Sequence, residues 1–275
     1  MGKNPPKTPG NLRTYNWHGN EIHYRPGTSD HGVIYIILVK PEKKAEYWVP
    51  RGLEADVILN IGGNIGVTAI YLAKRFPAAQ IYTFEPVPQN FKLLEKNVEH
   101  LSNVEAFPFG LGSEQGMFEI YSSEDDKNLA GYSLHELVSD GINAGVDRSR
   151  MIQVEIRPVS VVLAELGITK IDIIKIDSEG AEFDILTSID PKILARGQWI
   201  LGEPHGVRDF ELLAYLAEWF GRKVSKKMGS NLFPLQARSK ILKEKRTFVK
   251  PRRPPVSGGD CATSMSMERL FKIVV

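Results

Sequence analysis

Cysteine is nearly absent. The single thiol, Cys261, can form neither an intrachain disulfide nor a cysteine-based metal cluster, and no metal site is expected. Long apolar runs are missing as well. The longest, Val33 to Val39, is far short of the ~20 residues a membrane-spanning helix needs. The opening stretch MGKNPPKTPG has charge but no apolar segment, so it does not read as a secretory signal. Pro6 stands where a myristoylation signal wants Ser or Thr. Together these absences set the expectation of a cytoplasmic protein.

Strong net charge is also lacking, at +2 over 275 residues, but the charge is unevenly spread. Between Arg222 and Arg253 stand 12 Lys or Arg against one acid, Glu244, which is about +11 there and about −9 elsewhere. The preferred reading is a solvated loop. The competing one is a patch for phosphate or for weak contact with an anionic membrane surface. Only Phe233 and Phe248 interrupt these charges, too few aromatics for a base-stacking surface, so nucleic acid is not an expected partner.

What is present is an alternation of buried strands and amphipathic helices. Asp56–Asn60, Gln80–Phe84, Asn103–Phe107, Ile171–Asp177 and Gln198–Gly202 read as short apolar strands. Helices are expected over 64–76, 88–100 (opened by Pro88), 159–166, 181–187 and 207–221. The stretch 108–150 is irregular, with short strands at MFEIY and AGYSL, followed by a strand over 151–157. Leu270–Val275 suits a final strand, while VIYIILV at 33–39 fits helix or strand equally. Such alternation predicts an α/β, doubly wound, mostly parallel seven-stranded sheet with helices on both faces. Ligands bind such sheets at the carboxyl ends of the strands.

Four motifs fall at that edge. NIGGNIG, from Asn60 to Gly66, lies between the first strand and its helix. Glycines there permit a sharp turn, and the helix start offers N–H groups to an anionic group. A dinucleotide fingerprint would need glycine at position 64, where Asn stands, and a P-loop would need Gly-Lys-Ser/Thr at its end. The spacing matches S-adenosylmethionine sites better, although Asn60 occupies the place of an acid. FEP puts Glu85 at the end of the second strand, 19 residues beyond Gly66, where a carboxylate can bind ribose hydroxyls. IKIDSEGAE puts Asp177 and Glu179 after the fourth strand, and GEPHG puts Glu203 and His205 after the fifth. The competing reading of Asp177 and Glu179 is helix capping.

From about Glu46 to Gly221 the chain resembles the FkbM-type methyltransferases. DIIKIDSEGAEFDIL carries the likeness most strongly, with the glycine turn, the FEP triplet and Glu203-x-His205 in support. Asn60 departs from the usual Asp, and the basic region after Arg222 matches no pattern. The resemblance implies a Rossmann-like class I methyltransferase over 51–275, with a basic, proline-containing loop at about 222–260 and residues 1–50 as an extension or cap. It implies S-adenosyl-L-methionine as cofactor and O-methylation of a hydroxyl on a sugar, glycolipid or natural-product-like acceptor. The expected cofactor contacts are Asn60, Gly62, Gly63, Asn64, Gly66, Glu85, Leu111 and Gly112. His205 is the expected base, with Glu203 orienting it and Asp177 or Glu179 holding the acceptor. The alternatives are an NAD or nucleotide-sugar oxidoreductase on a similar sheet, and a non-catalytic module that retains the fold.

Overall fold

The computed structural model describes residues 11–123, 132–133, 146–202, 208–218, 220–222 and 235–237. The chain opens with a hairpin, β1 (Arg13–Trp17) and β2 (Asn20–Tyr24), whose two-residue turn His18–Gly19 has positive φ at both positions. That backbone suits a tight hairpin turn, and glycine supplies it without strain. Helix α1 (Asp30–Ile34) runs directly into a π-helical turn, Tyr35–Val39, so the ambiguous apolar run is helical.

Next come β3 (Val57–Ile61), α2 (Val67–Arg75), β4 (Gln80–Phe84), α3 (Pro88–Val98) and β5 (Val104–Phe107). A side sheet is built from β6 (Gly110–Gly112), β7 (Gly116–Ser123), β8 (Tyr132–Ser133) and β9 (Val146–Pro158). The chain then returns through α4 (Val159–Glu165), β10 (Ile173–Ile176), α5 (Glu182–Thr187), α6 (Pro191–Leu194) and β11 (Trp199–Gly202). The last described elements are α7 (Asp209–Leu216), β12 (Phe220–Arg222) and β13 (Leu235–Ala237).

The main sheet has seven strands in the order β12-β13-β11-β10-β3-β4-β5. Neighbours from β11 to β5 pair in parallel, and β13 runs antiparallel to both β11 and β12. This is the doubly wound arrangement expected. The order reverses between β3 and β10, which makes the carboxyl edge there the switch point where ligands bind. Alternate strand residues feed two cores. Leu59, Ile61, Ile174, Ile176 and Ile200 pack toward α4, α5 and α7. Ile58, Ile81, Ile173, Trp199 and Leu201 pack toward α1, α2 and α3.

Two expectations are corrected. The first helix starts at Val67 rather than 64, because Asn64 and Gly66 take left-handed backbone that no α-helix accepts. The helix read over 207–221 stops at Leu216, and Phe220–Arg222 is a strand that extends the sheet. Residues 13–24, inside the stretch expected as an extension or cap, form the hairpin, which buries Ile22 against the core. The stretch Leu270–Val275, Cys261 and nearly all of the basic segment lie outside the described residues. No helix among the described residues is long and apolar enough to cross a membrane.

Candidate active site

The glycine turn after β3 is stitched to the end of β4. The N–H groups of Gly62 and Gly63 both donate to the Phe84 carbonyl, at 3.1 and 2.9 Å, and that of Gly66 donates to Gly63 O at 2.9 Å. Gly62, at φ +76°, leaves no room for a side chain, since a Cβ there would stand 1.9 Å from the backbone oxygen of Asp177. The turn therefore binds two strand ends together. Asn64 lines the cleft, and its buried Oδ1 has no hydrogen-bond partner among the described residues.

Glu85 follows β4 and is 5% exposed. Its Oε2 accepts the Asn64 N–H at 2.8 Å and its Oε1 accepts the Val87 N–H at 2.9 Å. Burial raises its pKa to about 7, although those two N–H groups, the Lys175 charge and the Asn90 side chain favour the carboxylate. Each oxygen still has acceptor capacity for a hydroxyl.

The loop after β10 is shaped by Glu182. This buried carboxylate accepts the N–H and hydroxyl of Ser178 on one oxygen and the Gly180 N–H on the other. It thereby satisfies amides just ahead of α5 and holds Glu179 at φ +53° beside the cleft. No side chain caps the helix N-terminus itself; Glu182 instead braces the loop that precedes it. Asp177 Oδ2 accepts the hydroxyl of Tyr47 at 2.8 Å. Burial, with the Asp177 charge next, pushes the Tyr47 phenol well above its ordinary range, so it acts as a donor. Lys175, also buried, donates to the Ile61 and Gly62 carbonyls at 3.1 and 2.6 Å. Its ammonium lies 5.2 Å from the centre of the Tyr47 ring and 4.0 Å from Asp177 Oδ2. Burial lowers its pKa, opposed by the neighbouring carboxylates.

These groups line one cleft of about 250 Å³. Val33, Ile36 and Ile37 form one apolar wall, and Leu111, Ile120 and Ile156 form another. Its charged groups are Glu46, Glu85, Asp177 and Glu179 against Lys175. The lone ammonium among them is tied to backbone carbonyls, so the cleft is rich in acceptors. Such a lining favours a ligand bearing hydroxyl and cationic groups and opposes a pyrophosphate.

Residues 60–227 match the model of the methyltransferase FkbM domain, more than half of the chain. The chain belongs to the FkbM methyltransferase family. Among relatives of this FkbM-family chain, the AMB antimetabolite synthetase AmbE of Pseudomonas aeruginosa is 30% identical over 185 residues, covering 56% of this chain and 8% of that protein. The 2-O-methyltransferase NoeI of Sinorhizobium fredii is 28% identical over 47% of this chain and 56% of its own length. The 31-O-demethyl-FK506 methyltransferase FkbM of Streptomyces tacrolimicus is 26% identical over 55% and 66%. The matched stretch thus spans less than two thirds of each of these relatives.

The family's methyl donor and cofactor is S-adenosyl-L-methionine, and the residues present fit it. The cofactor offers ribose hydroxyls, an ammonium and a sulfonium, and the cleft offers Glu85, the orphan Asn64 oxygen and further carboxylates. Of the residues expected from sequence, Gly62, Gly63, Asn64, Glu85, Leu111, Asp177 and Glu179 line the cleft. Gly66 turns the chain into α2 at φ +90° without lining it. Gly112, which pairs with Pro158 of β9, is not among the lining residues, although Gly110 and Leu111 are. Asn60 is fully buried below the turn, with Nδ2 on Thr83 Oγ1 at 2.7 Å, and is not among the residues that line the cleft. Glu203 and His205 lie outside the described residues. Tyr47 and Glu46 were not legible in the sequence, because they precede every motif and reach the cleft only through the tertiary fold.

Proposed function

We propose that this FkbM-family domain transfers a methyl group from S-adenosylmethionine to a hydroxyl of a sugar, glycolipid or natural-product-like acceptor. The acceptor-rich, net acidic cleft at the switch point carries the reading. It suits a cationic, hydroxyl-bearing cofactor and disfavours the pyrophosphate of NAD or a nucleotide sugar. O-methylation draws its support from the two O-methyltransferases among the relatives.

Bound, the cofactor supplies an electrophilic methyl on sulfur. Glu85 would hold its ribose hydroxyls, and the Asn64 amide oxygen would take a donor from the same ligand. Gly62 and Gly63 would keep the floor of the turn clear, and Leu111 would pack near the adenine. Asp177, fixed by the Tyr47 hydroxyl, would orient the acceptor hydroxyl, with Glu179 beside it. A sugar-like hydroxyl is a weak acid, so a base must take its proton as the new bond forms. We assign that task to His205, oriented by Glu203. The apolar walls would exclude water from the reacting groups and align them.

The test is labelled methyl transfer from S-adenosylmethionine into a panel of hydroxylated glycans, glycolipids and polyketides, with NADH binding measured in parallel. Label in an acid-stable ether product and no NADH binding support the reading. NADH binding without methyl transfer would reject it.

A further inference from the structure

The hairpin β1–β2 lies outside the stretch that matches the family, yet it is wired to the cofactor edge through α3. His23 and Arg25 are two residues apart and meet Asn97 and Asn90, which are two helical turns apart on one face of α3. Asn97 accepts the His23 N–H at 2.7 Å and donates to His23 O at 2.9 Å. It also donates to Ile65 O, in the glycine turn, at 2.7 Å. Arg25 is 1% exposed and pairs with the fully buried Asp30 through Nε at 2.8 Å and Nη2 at 2.9 Å. The same Nη2 donates to Asn90 Oδ1 at 2.9 Å.

That last contact decides how the Asn90 amide is turned. A guanidinium only donates, so the amide oxygen must face Arg25 and the NH2 must face away. Asn90 lines the same cleft as Glu85, and its side chain favours the ionised Glu85 carboxylate, as an NH2 turned away from Arg25 would. We propose that Asp30, Arg25 and Asn90 form a positioning relay that fixes a donor on the Glu85 carboxylate, making the N-terminal hairpin a working part of the cofactor site. The proposal rests on the reading of Glu85 as the ribose ligand. It moves the domain boundary, since residues 20–30 then belong with the cofactor-binding unit instead of forming a cap. A buried ion pair is a costly way merely to join two elements; here it also fixes the orientation of an amide at the site.

Glu85 must be ionised to accept two ribose hydroxyls, and donors to the ionised form favour it. The groups acting on it are Lys175 from β10, the Asn64 and Val87 N–H groups and Asn90 from α3. Glu46, Tyr47, Asp177 and Glu179 share the cleft. Affinity for S-adenosylhomocysteine should therefore rise with pH through the region of about 7 where Glu85 ionises. The experiment is calorimetric titration of the full chain with S-adenosylhomocysteine from pH 5.5 to 9. The variants are Asn90→Ala, Arg25→Met with Asp30→Asn, and Glu85→Gln. Asn90→Ala keeps the Arg25–Asp30 pair and carries the test if the double variant does not fold. Loss of the donor should move the midpoint up by roughly half to one pH unit, weaken binding about three- to tenfold near pH 7, and change it little above pH 8.5. The double variant should move it the same way by less, since Asn90 then loses only its orientation. If Glu85→Gln flattens the profile while the folded relay variants keep the wild-type midpoint, or weaken binding equally at every pH, the relay is only structural. If Glu85→Gln leaves the profile unchanged, the reading of Glu85 itself fails.

Discussion

Replacing Glu85 by Gln should change how stability depends on pH as well as how the cofactor binds. Burial holds this acid at about 7 in the folded protein, against an ordinary 4.5. Below 4.5 the group is protonated in both folded and unfolded chains. Between 4.5 and 7 the unfolded chain gives up the proton and the folded chain keeps it. The raised acid therefore contributes stability that is full below 4.5 and is lost as pH rises through 7. At ~1.4 kcal/mol per pH unit, the loss across this window is about 3 kcal/mol. Gln has no such slope. Its amide sets an N–H against the N–H of Asn64 or Val87, a penalty of about 1–3 kcal/mol that does not vary with pH. The variant should thus be less stable than wild type near pH 4.5 and should match or overtake it by pH 7.5. Urea unfolding of the cofactor-free protein across pH 4.5–8 reads this directly, as the difference between the two curves. A difference that stays constant with pH would show that Glu85 titrates as an ordinary surface acid and that its buried setting is wrong.

Other predictions follow from the same geometry. Gly62→Ala, with a Cβ 1.9 Å from Asp177 O and φ at +76°, should destabilise the fold by at least about 3 kcal/mol, visible as a large drop in melting temperature. Asn60→Asp should leave S-adenosylhomocysteine affinity within about threefold, because position 60 sits below the turn; a tenfold change would return it to the binding site. His205→Ala should lower turnover on an identified acceptor by about 10²–10⁴-fold with cofactor affinity preserved. Turnover within a few-fold of wild type would pass the base role to Asp177 or Glu179.

The parallel sheet was legible because strands buried on both faces read as apolar runs, and Gln80–Phe84 matches its expected bounds. The hairpin was missed although two signals marked it: Tyr15, Trp17, Ile22 and Tyr24 alternate with polar residues and face the core, and His18–Gly19 suits a tight turn. The run at 33–39 gave no periodicity because one side faces the cleft and the rest is apolar too, with Tyr35 and Val39 left exposed. In the site, Glu85 and the Asp177–Glu179 pair were legible from motif spacing at strand ends. Asn60, named by the same spacing, is buried against Thr83 outside the cleft lining, and spacing alone does not reveal which face of β3 a side chain occupies. Tyr47 acts across 130 residues of chain on Asp177 and Arg25 across 65 on Asn90, and no local pattern marks contacts of that span.

The most direct test of the account is calorimetric titration of S-adenosylhomocysteine into the wild-type chain and into Glu85→Ala at pH 8, where Glu85 is mostly ionised. The account predicts one-to-one binding to the wild type, weakened in the variant by about 1.5–3 kcal/mol, or roughly ten- to a hundredfold. No binding to the wild type, or equal affinity in a folded Glu85→Ala variant, would contradict the assignment of this cleft as the S-adenosylmethionine site.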